Sequence, residues 1–167
     1  ALPGGEACIR EPWRNAVGML ISLLGDEGVK LSEQIFPNRS NAIPVLQAMI
    51  EKNMNTVYGG TCGRLFDAVS SIVGLCETST YDGEAAISLS EVAEIHLDVT
   101  PYHYEIQQNG HMLTFDFGEM LRQIANDVLQ KKDVKLISTA FHETVVQALI
   151  EAMRRLQQSY PHFNKNI

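Results

Sequence analysis

The last third of the sequence restricts the possible folds more than any other part. Apolar residues recur there at every fourth position, at Ile137, Phe141, Val145, Leu149 and Met153. This is the spacing of one face of an α-helix. Neighbouring positions widen the face to the stripe of a core-facing helix: Ala140, Thr144, Ala148, Ala152 and Leu156. Asp133 is a helix-capping residue and Pro161 cannot continue a helix, so the pattern predicts one long helix between them.

Helical spacing also dominates the first two thirds of the chain. The predicted helices run from Pro12 to Leu24, from about Val29 to Ile35, from near Asn41, from about Cys62 to Val73, through Ala86 to Ala93, and from Gly118 to Gln130. Pro12 suits a first helical turn and Gly25 the position after the last. We interpret residues 2–5, which contain Pro3 and the Gly4–Gly5 pair, as a turn, and residues 57–61, which contain the Gly59–Gly60 pair, as a loop.

A β-hairpin is indicated between Tyr102 and Phe117. Apolar and polar residues alternate there on both sides of Asn109-Gly110, a dipeptide favoured in type I′ turns. Placing Gln108 opposite His111 brings six apolar side chains to one face, with Ile106 opposite Leu113, and leaves Met112 on the other face. The fold class is therefore mainly α with one antiparallel hairpin (about 102–117), in a single helix-rich segment covering 1–167.

Composition excludes several classes of protein. Hydrophobic residues make up 45% of the chain and charged residues 20%, which is typical of a globular domain. The net charge of −7 argues against a nucleic-acid partner. No apolar run approaches the roughly 20 residues of a membrane span. We expect a cytoplasmic protein, and because the chain opens on Ala1 we expect it to be processed or part of a longer one.

Metal binding is not indicated by the cysteine and histidine spacing. There are three cysteines, without a CxxC pair, and five histidines, without an HxxxH or HExxH pair. The pattern fits reduced, partly buried thiols, and we predict no metal site within the chain.

Arg10 and Arg14 form the first candidate site, in the run REPWR at a predicted helix start. Guanidinium groups beside the free N–H groups of a helix start favour a bound phosphate or carboxylate. The alternative is a surface ion pair with Glu11 and a packed Trp13.

The second candidate site lies between Gly59 and Asp67, where glycines precede a helix that contains Arg64. Such glycines allow a ligand to approach the backbone, and Asp67, one turn inside, can accept hydrogen bonds from ribose hydroxyls. The pattern is not a P-loop. A capped helix with a glycine-rich lead-in is the structural alternative.

His142 is the third candidate, in the run FHETV. It lies beside the apolar stripe of the long helix, so a structural histidine is the default interpretation.

Four segments together resemble one family. LPGGEACIREPWR (2–14), CGRLFDAVSSIVGLC (62–76), TYDGEAA (80–86) and FHETV (141–145) occur in the order found in the hydrogenase-maturation carbamoyltransferases, the HypF family. The resemblance covers essentially the whole chain. It implies part of a lobe of an actin/Hsp70-like ATPase fold, in the region of HypF that is similar to the universal tRNA threonylcarbamoyl-transfer proteins.

The resemblance also implies a reaction. Family members use carbamoyl phosphate and ATP to form carbamoyl-adenylate, and the carbamoyl group then passes to the C-terminal cysteine of HypE for cyanide ligand synthesis. It implies that Asp67 and Gly83 hold the adenylate ribose, that Gly63 admits the ligand, and that Arg10, Arg14, Arg64 and His142 are candidate anion or substrate contacts. Where many relatives have a glutamate, this chain has Ile87-Ser88, so Glu84 or Glu91 would have to replace it.

The family's metal ion is expected on residues outside this segment. The isolated segment is therefore expected to be catalytically incomplete. Alternatives are a tRNA threonylcarbamoyl-transfer relative, an antibiotic carbamoyltransferase, or a helical interaction module without catalysis.

Overall fold

The computed structural model describes residues 1–94, 96–110 and 112–159. This part of the chain is mainly helical, as predicted. The helices are α1 (Ala7–Arg10), α2 (Pro12–Leu24), α3 (Asp26–Ile35), α4 (Ile43–Glu51), α5 (Cys62–Ile72), α6 (Glu84–Val92), α7 (Gly118–Leu129) and α8 (Val134–Ser159), with a short 3₁₀ turn at Pro37–Arg39. The strands are β1 (Leu2–Pro3), β2 (Thr56–Val57), β3 (Glu105–Asn109) and β4 (Met112–Asp116).

Helix α2 lies at the centre of the packing. It contacts α5, α3, α4, α7 and β1, and its apolar side chains are among the most deeply buried of the core. Trp13 and Leu20 are almost completely inaccessible to solvent. Burial of a large apolar side chain contributes about 1.5–3 kcal/mol, so the buried residues of α2 contribute substantially to the stability of this body.

The boundaries of two helices differ from the prediction. Helix α3 begins at Asp26 and not at Val29, and α4 begins at Ile43 and not at Asn41. The acidic residues Asp26 and Glu27 favour the first turn of a helix, because they face the positive end of its dipole. Gly25, at φ 59°, makes the corner between α2 and α3.

The hairpin is present, but its predicted pairing is wrong. Ile106 pairs with Phe115 and Gln108 with Leu113, a shift of two residues from the predicted register. An even shift keeps every side chain on its predicted face, so the alternation could not exclude it. Asn109 pairs with Met112 and is not a turn residue. The predicted partner of Gln108, residue 111, lies outside the described residues.

The strands are also shorter than 102–117, because Tyr102 leaves the hairpin for the core. Its hydroxyl donates a hydrogen bond of 2.7 Å to Asp127, and its N–H donates one of 2.8 Å to Thr144. These bonds direct the chain across α7 and α8 before β3 begins.

A second sheet was not predicted. Leu2 pairs with Val57 and Pro3 with Thr56, so the segments interpreted as a turn and a loop form a two-stranded antiparallel sheet. Strands of two residues have no alternation from which they can be recognised. This sheet places the Gly4–Gly5 turn beside α2.

Helix α8 is capped as predicted, since Asp133 accepts a hydrogen bond of 2.9 Å from the N–H of Lys135. The predicted stop at Pro161 lies outside the described residues. Ile137, Phe141 and Val145 are buried as expected. The prediction is wrong for Leu149, Met153 and Leu156, which are exposed, whereas the small residues Ala148 and Ala152 are buried.

Polar side chains of α8 hold α6 in place. Ser138 donates a hydrogen bond of 2.6 Å to the carbonyl of Leu89, and Thr139 accepts one of 3.0 Å from the N–H of Glu94. Lys135 pairs with the Glu94 carboxylate at 2.9 Å. These contacts fix the position of α6 beside α5, where the candidate site lies.

Among the helices of the described residues, none combines the length and the apolar character that a membrane span requires.

Substitution of Gly18 by alanine tests the packing of β1 on α2. A Cβ at Gly18 would lie 2.3 Å from the carbonyl oxygen of Ala1 and 2.7 Å from Cδ of Pro3. We expect Gly18→Ala to lower the free energy of unfolding in urea by about 1–3 kcal/mol, the usual cost of overpacking. Gly63→Ala is the matched control, because its Cβ meets nothing within 4 Å. Equal stability of the two variants would contradict this packing.

Candidate functional site

The start of α5 is open. Thr61 follows the Gly59–Gly60 pair in an extended conformation, and α5 begins at Cys62, as predicted. A Cβ built on Gly63 meets nothing within 4 Å, so the first turn faces open space. The first turn of an α-helix leaves backbone N–H groups without intrahelical acceptors. A ligand oxygen can therefore approach the backbone at this point.

Asp67 is the most deeply buried charged group near this opening, at 4% exposure. Its carboxylate pairs with Arg64 at 3.0 Å, one helical turn earlier. Burial raises the pKa of Asp67, the Arg64 charge acts in the opposite direction, and the negative charge of Asp82 raises it further. The effect of Asp82 indicates that the Asp82–Gly83 turn lies near Asp67.

Gly83 makes the entry to α6, with a left-handed φ of 84°. Of the two glutamates that could replace the missing family glutamate, Glu84 is engaged locally. Its carboxylate accepts hydrogen bonds from the N–H and the hydroxyl of Thr80, which lower its pKa. Glu91 instead lines a groove beside α5.

This groove has a volume of about 380 Å³ and runs between α5 and α6. Its lining is mostly apolar, with a polar end: Phe66, Ala86, Ile87, Ser90 and Glu91. The sequence suggested Glu91 only as a replacement for the family glutamate, and it did not predict the groove itself, although Ile87 is an apolar residue on the exposed side of α6. An exposed apolar position on a short helix is the one signal that could have indicated it.

His142 lies at the edge of the groove and is held by both of its ring nitrogens. Nδ1 lies 2.8 Å from the carbonyl of Ser138, so it carries the proton, and Nε2 lies 3.3 Å from the Ser90 hydroxyl. The ring makes an edge contact with Phe66, with centroids 5.3 Å apart. The structural interpretation of His142 fits these contacts, and Ser90 connects it to the groove.

The REPWR segment packs around Trp13. The guanidinium carbons of Arg14 and Arg39 lie 5.1 and 4.9 Å from the centre of the Trp13 ring. Arg14 also pairs with Glu11. Arg10 contacts the next segment through its carbonyl, which accepts a hydrogen bond of 2.9 Å from the N–H of Ser79. The ion pair and packed tryptophan of the alternative interpretation are therefore present.

Cys8 is influenced by residues of both sequence motifs, REPWR (10–14) and GRLFD (63–67). Burial raises the pKa of the Cys8 thiol to about 11, while the nearby charges of Arg14 and Arg64 oppose that rise. Its Sγ donates a hydrogen bond to the carbonyl of Pro3, at 3.3 Å. The charges of Arg14 and Arg64 thus both act on one buried thiol, which stays protonated at neutral pH and is not a nucleophile.

The structure therefore divides the predicted residues into neighbouring groups. The charges of Arg14 and Arg64 act on Cys8, Arg64 pairs with Asp67 in the first turns of α5, and the charge of Asp82, next to Gly83, acts on Asp67. His142 lies on the Phe66 side, at the groove. In residues 1–94, 96–110 and 112–159, no group of three or more histidine, cysteine or acidic side chains could hold a metal ion.

Comparison with known proteins identifies the family. Residues 1–164 match the family model described as the carbamoyltransferase Kae1-like domain, second subdomain. The chain belongs to this family, and the resemblance noted in its motifs is confirmed.

Individual relatives agree with this assignment. The chain is 26% identical to carbamoyltransferase HypF of Synechocystis, and the match covers 89% of this chain. It is 37% identical to carbamoyltransferase HypF2 of Cupriavidus necator, and that match covers 56% of this chain. It covers 21% and 11% of those two proteins. It also matches a crystal structure of full-length HypF in the phosphate- and nucleotide-bound form, with a TM-score of 0.84 and 26% identity, over 95% of this chain and 20% of that one.

The raised pKa of Asp67 has a consequence for stability. The folded state binds the proton of the Asp67 carboxyl more tightly than the unfolded state does. Protonation of Asp67 therefore stabilises the fold fully below pH 3.8, the ordinary pKa, and this contribution to the free energy of unfolding is lost as the pH rises through the raised pKa of the folded state. Asp67→Asn keeps an acceptor for Arg64 without a charge. We expect it to be at least as stable as the original chain at about pH 7, with the difference vanishing below about pH 4.

Urea unfolding of both proteins at the two pH values measures this difference. A variant that is clearly less stable at neutral pH would show that the charged Arg64–Asp67 pair stabilises the fold. The Arg64–Asp67 pair would then be explained by its contribution to the stability of the fold and not by ligand binding.

Proposed function

We propose that this chain is the part of a hydrogenase-maturation carbamoyltransferase that holds the nucleotide portion of carbamoyl-adenylate. The observation that carries the proposal is the buried carboxylate of Asp67, paired with Arg64 beside the open helix start at Gly63. The family assignment and the names of the relatives support the reaction class, and one relative has been crystallised with phosphate and nucleotide bound.

Asp67 is the proposed acceptor for the ribose hydroxyls. Burial raises the pKa of the Asp67 carboxyl in spite of the Arg64 charge beside it, so further hydrogen-bond donors would favour its charged form. Two ribose hydroxyls supply such donors. Arg64 keeps the carboxylate oriented and opposes the rise in its pKa, so that Asp67 can accept both hydrogen bonds.

The phosphate of the adenylate is proposed to lie at the start of α5. Gly63 leaves room for close backbone contact, and the N–H groups of a first helical turn favour an anion. Arg14 and Arg64 provide positive charge around Cys8, and Arg10 lies on the adjoining segment. The apolar wall formed by Phe66 and Ile87 would accommodate the base.

The proposed reaction is an acyl transfer. The carbamoyl carbon forms a bond to the sulfur of an acceptor thiolate, the C-terminal cysteine of HypE, while its bond to the adenylate oxygen breaks and AMP leaves. Cys8 is unsuitable as an acceptor, since its pKa of about 11 keeps it protonated. The residues of this chain bind and orient the nucleotide, and the metal ion of the family is proposed to lie on residues outside it. The proposed location is the cytoplasm, where HypE and the hydrogenase precursor would meet it.

The nucleotide site is tested by calorimetric titration of AMP into the full-length protein that contains this chain. We expect Asp67→Ala to weaken binding roughly 10- to 100-fold, the loss of one or two hydrogen bonds to a charged group. Gly63→Ala should weaken it by at least about tenfold while leaving stability unchanged or higher, since alanine favours helices. Asp26→Asn, an exposed acidic residue of α3, is the control. Unchanged affinity in both site variants would support a helical interaction module instead.

The isolated chain is expected to be inactive. Purified alone with ATP and carbamoyl phosphate, it should release no AMP and transfer no carbamoyl group, because the metal site and the adenylate-forming domain are proposed to lie elsewhere in the polypeptide. A coupled AMP assay measures this. Carbamoyl phosphate-dependent turnover that disappears in Asp67→Ala would contradict the expectation and place the whole site within these 167 residues.

A further inference from the structure

Ser90 presents only a hydrogen-bond acceptor to the groove between α5 and α6. Its hydroxyl donates a hydrogen bond of 3.0 Å to the carbonyl of Ala86. Its other neighbour, Nε2 of His142 at 3.3 Å, is also an acceptor, because Nδ1 carries the ring proton. A hydroxyl has a single hydrogen, and both protein neighbours of Ser90 compete for it. Toward a ligand, the Ser90 oxygen therefore offers lone pairs and no donor.

Glu91 adds a second acceptor at the same end of the groove. An ionised carboxylate accepts hydrogen bonds and donates none. The rest of the lining consists of the apolar residues Phe66, Ala86 and Ile87. A ligand that satisfies this polar end must therefore carry N–H or O–H donors at the edge of an apolar body.

The apolar lining is held in position at Phe66. Its ring makes edge contacts with the rings of Phe141 and His142, with centroids 4.9 and 5.3 Å apart. An aromatic side chain held in this way offers a fixed surface against which a planar base can pack. The lining and the polar end together fit a heteroaromatic base with an amino substituent.

The polar end lies about two helical turns from the proposed ribose site. Ser90 follows Gly83, the residue before α6, by seven positions, which corresponds to about 10 Å along the helix axis and to nearly the same side of the helix. The charge of Asp82 acts on Asp67, so the Gly83 end of α6 is the end near the ribose acceptor. A nucleoside bound there with its base along α6 would bring the far edge of the base to Ser90.

We propose that Ser90 and Glu91 accept hydrogen bonds from the exocyclic amino group of adenine and make the site selective for 6-aminopurines over 6-oxopurines. This proposal rests on the proposed function, which places an adenylate at Asp67. The amino group of adenine has two N–H donors, one for each acceptor, whereas guanine and hypoxanthine carry a carbonyl oxygen at the same position. Two acceptors that face this oxygen gain no hydrogen bond, and a site built in this way rejects the close analogue.

The test is calorimetric titration of AMP, IMP and GMP into the full-length protein that contains this chain. The Asp67→Ala protein defines the binding that belongs to other nucleotide sites, and the affinities are compared for the remainder. In the original protein we expect AMP to bind roughly 10- to 100-fold more tightly than IMP or GMP, the difference between one or two hydrogen bonds to these acceptors and none.

Glu91→Gln separates base recognition from packing, because the glutamine amide carries N–H donors that the carboxylate lacks. We expect it to weaken AMP binding about three- to tenfold and to leave IMP binding unchanged or tighter. Ser90→Ala should also weaken AMP binding and leave IMP binding unchanged. Glu33→Gln, the same change at an exposed position of α3, is the matched control and should alter none of the affinities.

Equal affinities for AMP and IMP, both weakened by Asp67→Ala, would overturn the base selectivity and leave the nucleotide site in place. An equal loss of AMP and IMP affinity in both groove variants would overturn it as well, because damage to the packing affects every base alike. Tighter binding of GMP would show that the carboxylate binds the N–H edge of guanine instead. AMP binding that does not change in Asp67→Ala would contradict the proposed function itself, and this proposal with it.

Discussion

The packing of α2 against α5 is the constraint on which the rest of the structure depends. Trp13 and Leu20 of α2 are almost completely buried, and the contact between α2 and α5 holds the two sequence motifs in one place. Cys8, which precedes α2, lies near the charges of Arg14 and Arg64, so the LPGG–REPWR and GRLFD motifs meet around one thiol. The open helix start and the buried Asp67 follow from this arrangement, because α5 is fixed by its inner face while its first turn stays free.

The helices were largely predictable because helical periodicity is a local property. The positions of α2, α5, α7 and α8 follow from apolar spacing and from Pro12, Gly25 and Asp133 as boundary residues. The hairpin register was not predictable from alternation, since a shift of two residues leaves every face unchanged. The β1–β2 sheet depends on contact between residues more than 50 positions apart in the chain, as Leu2 with Val57 shows, and no local pattern carries that information.

The site was predicted unevenly for similar reasons. Gly63, Asp67 and Gly83 stand in motifs that can be read along the chain, and the structure adds the Arg64 pair and the neighbouring Asp82. The groove lined by Ile87 and Glu91 forms only when α6 is set against α5 by the polar side chains of α8. The apolar stripe of α8 has the predicted helical period, but its last residues, from Leu149 onward, were wrongly predicted to be buried. The spacing of apolar residues cannot show how far a neighbouring element extends along α8.

The proposed function requires that Asp67 accepts hydrogen bonds from a nucleotide. The most direct measurement is the pKa of the Asp67 carboxyl by ¹³C NMR, in the full-length protein with and without saturating AMP. We expect the pKa of Asp67 to lie above the ordinary value of 3.8 in the free protein and to decrease clearly on binding, since donated hydrogen bonds favour the charged form. An Asp67 pKa that does not change when AMP binds would contradict the role of Asp67 as the acceptor.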